Sequence, residues 1–159
     1  DPLPGIAVDG WWTLHRLNRG ARVLFGESLA LGSNLAQAIF EPGPLRAATS
    51  NWVDVARATL GRLERQRLHA PDDARLEALC ALGRAELGGV PRTLDDARIV
   101  VAPDLDVHGH RLELFTMVAR FDTLEAVDPH ELRVELLFPR NAATAGVLSS
   151  LVRPGAVEG

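Results

Sequence analysis

Several groups of residues carry enough polarity to do chemistry. His108 and His110 flank Gly109, with Asp104 and Asp106 just upstream, and imidazoles beside carboxylates are the raw material of a metal site. Zinc asks for three or four ligands at fixed spacing, whereas these two imidazoles straddle a glycine in a turn, so surface turn residues are the better reading. Ser28, Ser33, Ser50, Ser149 and Ser150 occur without a Gly-x-Ser-x-Gly elbow, and Cys80 falls on an apolar helical stripe, where a thiol is buried and inert. Gly83, Gly88 and Gly89 do not follow a strand, as a phosphate-cradling loop requires. Of the paired carboxylates, Asp95-Asp96 lies in a loop and Asp72-Asp73 at a helix start, where capping accounts for it. No catalytic, metal or cofactor site is expected, and the chain reads as a binding or assembly module, not an enzyme.

The elements that hold these residues are organised around Arg111 to Pro139. Arg111–Phe121 and Leu132–Pro139 are rich in branched and aromatic residues and read as neighbouring strands. In the first, Phe115, Met117, Ala119 and Phe121 fall on one face and Leu112, Leu114, Thr116 and Val118 on the other. A sheet apolar on both sides needs two covers: helices on one side and, on the other, terminal segments, a second subunit or another domain.

Gly5–His15 reads as a β-hairpin turning at Asp9-Gly10, with Trp12 and Leu14 sharing a face. Helical spacing follows over Asn18–Phe25, stopped by Gly26, and over Ser33–Phe40, stopped by Glu41-Pro42-Gly43-Pro44. The clearest helix opens at Ser50-Asn51, good capping residues, and runs to about His69. Trp52, Val55, Ala56, Thr59, Leu60 and Leu63 form its apolar stripe, opposite Arg57, Arg62, Glu64 and Arg65. Pro71-Asp72-Asp73 starts another helix with Leu76, Leu79, Cys80 and Leu87 along one side. Ala97–Ala102 reads as a strand joined to the Arg111 strand through the turn at His108-Gly109, and Asn141 caps a final helix to Val152. Two strands, four helices, three strands and a helix predict an α+β, PAS-like fold: a five-stranded, mostly antiparallel sheet with helices inserted after the second strand and a cavity beneath them.

At 159 residues the chain is one domain, large enough to bury about 70% of the surface its unfolded form exposes. Hydrophobic residues make up 47% and no run approaches the ~20 apolar residues of a membrane span, so no membrane partner is expected. A net charge of −4, with scattered arginines, makes this piece a poor binder of nucleic acid. One cysteine excludes an intrachain disulfide and suits the cytoplasm. The chain begins Asp1-Pro2, without methionine, and a strand pattern starts within a few residues, so a fragment of a longer protein is expected, with its partner domain upstream.

Val8-Asp9-Gly10-Trp11-Trp12 followed by Leu17-Asn18-Arg19-Gly20-Ala21, then Asn34-Leu35 leading to Phe40, Asn51-Trp52-Val53-Asp54-Val55-Ala56 and Pro71-Asp72-Asp73 stand in one order along the chain. Phe115–Phe121, Glu131-Leu132-Arg133-Val134-Glu135 and Phe138-Pro139-Arg140-Asn141 continue it. In these pieces the chain resembles the MmyB-like ligand-binding domain, the C-terminal PAS-like half of XRE-type helix-turn-helix transcriptional regulators. Met117, Ala119 and Arg120 depart from that pattern, which has small polar residues there.

The resemblance implies a fatty-acid-like ligand between the sheet and the helices of residues 33–87 and DNA contact only through a missing N-terminal helix-turn-helix domain; a homodimer is the expected assembly, and a ligand-free dimerisation module the alternative reading. Trp12, Leu14, Leu24, Leu35, Ile39, Phe40, Trp52, Phe115, Met117, Phe121, Val134 and Leu136 are then the candidate walls. The same residue types would serve equally to close an ordinary core. Met117 carries extra weight because its thioether adapts to irregular ligands. A carboxylate head group calls for an arginine at the mouth, and Arg19, Arg120 and Arg133 are the candidates, each also readable as a solvated surface residue.

Overall fold

The computed structural model describes residues 3–88, 102–120 and 132–152. Strands β1 (Gly5–Val8) and β2 (Leu14–Leu17) lead into helices α1 (Arg19–Phe25), α2 (Leu35–Phe40), α3 (Pro44–Ala48), α4 (Trp52–His69) and α5 (Ala74–Leu87). Strands β3 (Asp104–Val107), β4 (His110–Arg120) and β5 (Arg133–Pro139) follow, then helix α6 (Ala142–Val152). The sheet runs β2-β1-β5-β4-β3 with every neighbouring pair antiparallel, which is the expected PAS-like α+β arrangement.

Most helix limits follow local chemistry. The side chains of Asn18, Asn34 and Asp73 each accept an N–H in the first turn of α1, α2 and α5, and Asn141 does the same for α6 through Thr144. Asn51 departs from expectation, because its side chain makes no cap on α4 and instead ties that helix to the far edge of the sheet. Glu41-Pro42-Gly43-Pro44 does end α2, but Pro44 also opens the unexpected helix α3, since a proline in the first turn gives up an N–H that has no intrahelical partner anyway.

The third strand lies later than the Ala97–Ala102 run, of which residues 97–101 fall outside the described residues, as do Gly89, Asp95-Asp96 and Phe121. The strand is Asp104–Val107, in which Leu105 is buried and the two aspartates alternate with it. It pairs with β4 through the expected turn, where His108 and Gly109 both take left-handed φ values of 51° and 78°, as a two-residue hairpin turn favours. The first hairpin also differs. Trp12 is in a turn and not in a strand, held at a φ of 68° where Asp9 accepts its N–H across the bend.

The register decides which sheet face meets the helices. Ile6 pairs with Glu135, Val8 with Arg133, Thr116 with Leu137 and Leu105 with Leu112, and directly paired residues share a face. Onto that face pack α2, α4 and α5, with a main cluster around Trp12, Phe40, Leu60 and Leu63. A second cluster joins Leu24 and Leu148 of α1 and α6 to Leu112, Leu114 and Leu137. The terminal helix therefore covers the same side as the inserted ones. The opposite face carries the pairs Phe115–Phe138, Met117–Leu136 and Ala119–Val134, with the two phenylalanine rings stacked at 5.3 Å and Met117 53% exposed. Among the described residues no helix is long and apolar enough to cross a membrane.

Candidate functional site

A partly open cavity of about 60 Å³ lies between the inner sheet face and helices α2 to α4. One ordered water needs roughly 10–15 Å³ on the same measure, so this space admits an organic group. Most of its lining is hydrocarbon, from Ile6, Phe25, Leu35, Ile39, Leu45, Val55, Leu105 and Leu137 among others.

Hydrogen bonds fix its walls. Asn34 donates to the Trp11 carbonyl at 2.7 Å while Leu35 N–H donates to the Trp12 carbonyl at 2.8 Å, so the hairpin turn and the start of α2 move as one piece. The Trp52 indole donates to the Ile39 carbonyl at 2.7 Å and fixes the end of α2, with the Arg46 guanidinium 3.6 Å above its ring. At the far end Asn51 donates to Ala102 O at 2.7 Å and accepts from Asp104 N at 2.8 Å, which joins α4 to β3 beside the lining residues Pro103 and Leu105.

The polar side of the cavity is built on Trp12. Its ring is 1% exposed and its indole N–H donates to Gln66 at 2.7 Å. The guanidiniums of Arg133 and Arg62 lie 4.0 and 4.7 Å from its centre. Both also contact one carboxylate oxygen of Glu135, Arg62 at 2.5 Å and Arg133 at 3.2 Å. Arg62 was expected on the solvent side of α4; standing one turn beyond Thr59, it is carried to the border of the buried stripe and reaches β5.

Of the residues expected at the site, Trp12, Leu35 and Ile39 line this cavity. Leu14 and Phe40 are buried in the main cluster with Trp52 packed at its edge, and Leu24 belongs to the second cluster. Phe40 is pressed so closely on α5 that a Cβ added at Gly83 would stand 2.7 Å from its ring. Phe115, Met117, Val134 and Leu136 are on the other sheet face, because the two-residue pleat turns them away once Thr116 and Leu137 point inward. Phe121 lies outside the described residues, and the side chain of Arg120 is not described. Arg19 is exposed on α1. Arg133 is buried beneath Trp12, not solvated. Sequence reading passed over Thr49, Thr59, Arg62, Thr116 and Glu135; Thr59 on the apolar stripe was the available signal.

The other chemical groups have structural roles. Cys80 is fully buried, and burial pushes its thiol up. Among the described residues no group of three or more histidines, cysteines and carboxylates is placed to hold a metal. Asp9 is buried, which alone would raise its pKa, but bonds from His15 and from the N–H groups of Thr13 and Trp11 outweigh burial and hold it below the ordinary aspartate range. Asp73, which accepts the Trp11 indole N–H at 2.7 Å, is lowered in the same way against its own desolvation. A carboxylate with a depressed folded-state pKa contributes stability that is complete above its unfolded value near ~4 and is lost as pH falls through the folded one. Urea midpoints measured from pH 6 to pH 2 are therefore expected to fall on the acid side, and Asp9→Asn is expected to flatten that limb, Asp73 supplying what remains. An unchanged limb would remove Asp9 from the account.

Among curated proteins none matches the chain. The family model of the MmyB-like transcription regulator ligand binding domain matches residues 1–151. It describes a sensor part of regulators and not an enzyme family, and its extent takes in the sheet, all the helices around the cavity and almost all of α6. With the PAS-like sheet order and an apolar cavity under its helices already in place, this match means that the chain belongs to the family of MmyB-like transcription regulator ligand-binding domains.

Proposed function

We propose that the domain senses a fatty acid or a similar amphipathic molecule held between the inner sheet face and helices α2 to α4. The observation that carries this reading is the cavity itself: hydrocarbon walls meeting a polar corner at Thr59, Arg62 and Glu135. Such a site suits a ligand with an apolar body and one polar end. In this reading an N-terminal helix-turn-helix domain contacts DNA in the cytoplasm. Ligand binding acts by favouring one of two packings of the domain.

The exposed outer face favours a second role beside the first. Met117, next to the stacked Phe115 and Phe138, makes a surface for a homodimer contact, and a regulator that used only this surface would be a ligand-free dimerisation module.

Native mass spectrometry of the purified domain, with denaturing extraction and identification of any bound molecule, separates the two. A stoichiometric acyl compound is expected, lost in Ile39→Trp, which fills the cavity, and retained in Met117→Trp, which alters only the outer face. An empty protein that gains no thermal stability with C12 to C18 fatty acids would leave the dimerisation module.

A further inference from the structure

Thr59 is 1% exposed and lines the cavity, yet its hydroxyl has no hydrogen-bond partner among the described residues. A buried hydroxyl left unpaired is a penalty that native folds avoid, so this one calls for a partner. One turn along α4 stands Arg62, also on the cavity wall. Its guanidinium carries five N–H donors, of which the described residues engage only one terminal nitrogen, at the Glu135 carboxylate. Glu135 in turn does not depend on Arg62 alone, because Arg133 donates to the same oxygen.

We propose that the cavity selects acidic ligands, with the ligand's carboxylate seated between the Thr59 hydroxyl and the Arg62 guanidinium and taking Arg62 over from Glu135. This rests on the cavity being the ligand site and specifies which end of the ligand goes where. The planar guanidinium matches a carboxylate with two parallel bonds, and an entering anion meets no other cation along a lining that is otherwise apolar or hydroxylic apart from Glu135 itself. Glu135 keeps Arg133 as its counter-ion when Arg62 turns away. The exchange also supplies the differential contact that a sensor needs. Arg62 belongs to α4 and Glu135 to β5, so an acidic ligand loosens a helix-to-sheet tie that a neutral one leaves intact.

Isothermal titration of the domain with dodecanoic acid and with 1-dodecanol at neutral pH tests this. The acid is expected to bind about 10- to 100-fold more tightly than the alcohol, the span expected for hydrogen bonds to a charged group. Arg62→Gln should bring the two to near parity by weakening the acid more than the alcohol. Glu135→Gln should tighten the acid, since Arg62 is then free to receive it. Should Arg62→Gln fail to fold, Thr59→Val, which keeps the shape of the side chain, carries the test with a loss of roughly 3- to 10-fold for the acid. Equal binding of acid and alcohol, a preference for the acid that survives in Arg62→Gln, or one left undiminished in Thr59→Val would overturn the head-group site while leaving the cavity reading in place. Binding of neither probe would overturn both.

Discussion

Replacing Trp12 with alanine is expected to destabilise the domain by about 3–5 kcal/mol, the range for truncating a fully buried tryptophan. At roughly 2–4 °C per kcal/mol for a chain of this length, the melting temperature should drop by about 6–20 °C. Three contacts are lost together. The indole no longer supports the Arg62 and Arg133 guanidiniums, Gln66 loses the N–H it accepts, and the cavity wall opens. Trp12→Phe keeps most of the packing and should retain more than half of the lost stability. Trp12→Gly is informative because the backbone there sits at a φ of 68°, which glycine adopts freely and alanine does not. It should be no worse than Trp12→Ala although it removes one more methyl group. A loss below about 1 kcal/mol in Trp12→Ala, read from urea denaturation, would show that the ring is not the pillar of this corner.

Glu135→Ala is expected to cost a similar amount, about 3–5 kcal/mol, because removing one partner of a buried ion pair strands the other. Here the carboxylate receives guanidiniums from both α4 and its own strand, and all three side chains are mostly withdrawn from water. Glu135→Gln retains an acceptor and should lose less. Coupling energy from the Arg62→Ala, Glu135→Ala and double variants isolates the pair. A surface-like value under about 1 kcal/mol would mean that water screens it as it does exposed pairs.

Much of this architecture is local in origin. Asp73 and Asn141, expected at helix starts, cap α5 and α6, and Asn18 and Asn34 do the same for α1 and α2. The stripe of Val55, Ala56, Thr59, Leu60 and Leu63 is the buried face of α4, as its spacing predicts. In β3 Leu105 and Val107 alternate with two aspartates, a pattern short enough to pass for part of the turn that follows.

The site was less legible. In β4 the faces of Phe115 and Met117 and of Leu114 and Thr116 are both apolar, and a period of two divides a strand into faces without saying which one is covered. Arg62 and Glu135 are 73 positions apart, so no local pattern joins them. The cap expected of Asn51 became a bridge to β3, which only the approach of that strand makes available.

The sequence by itself thus determined most of the elements, their order and the family, α3 and the place of β3 excepted, because capping, periodicity and turn chemistry act over a few residues. Only the tertiary structure decided which sheet face the helices cover, and with it that Thr116 and Leu137, not Met117 and Leu136, meet the cavity. That choice depends on the register of β4 against β5 and on helices from both ends of the chain packing onto one side, interactions between segments that are distant in sequence.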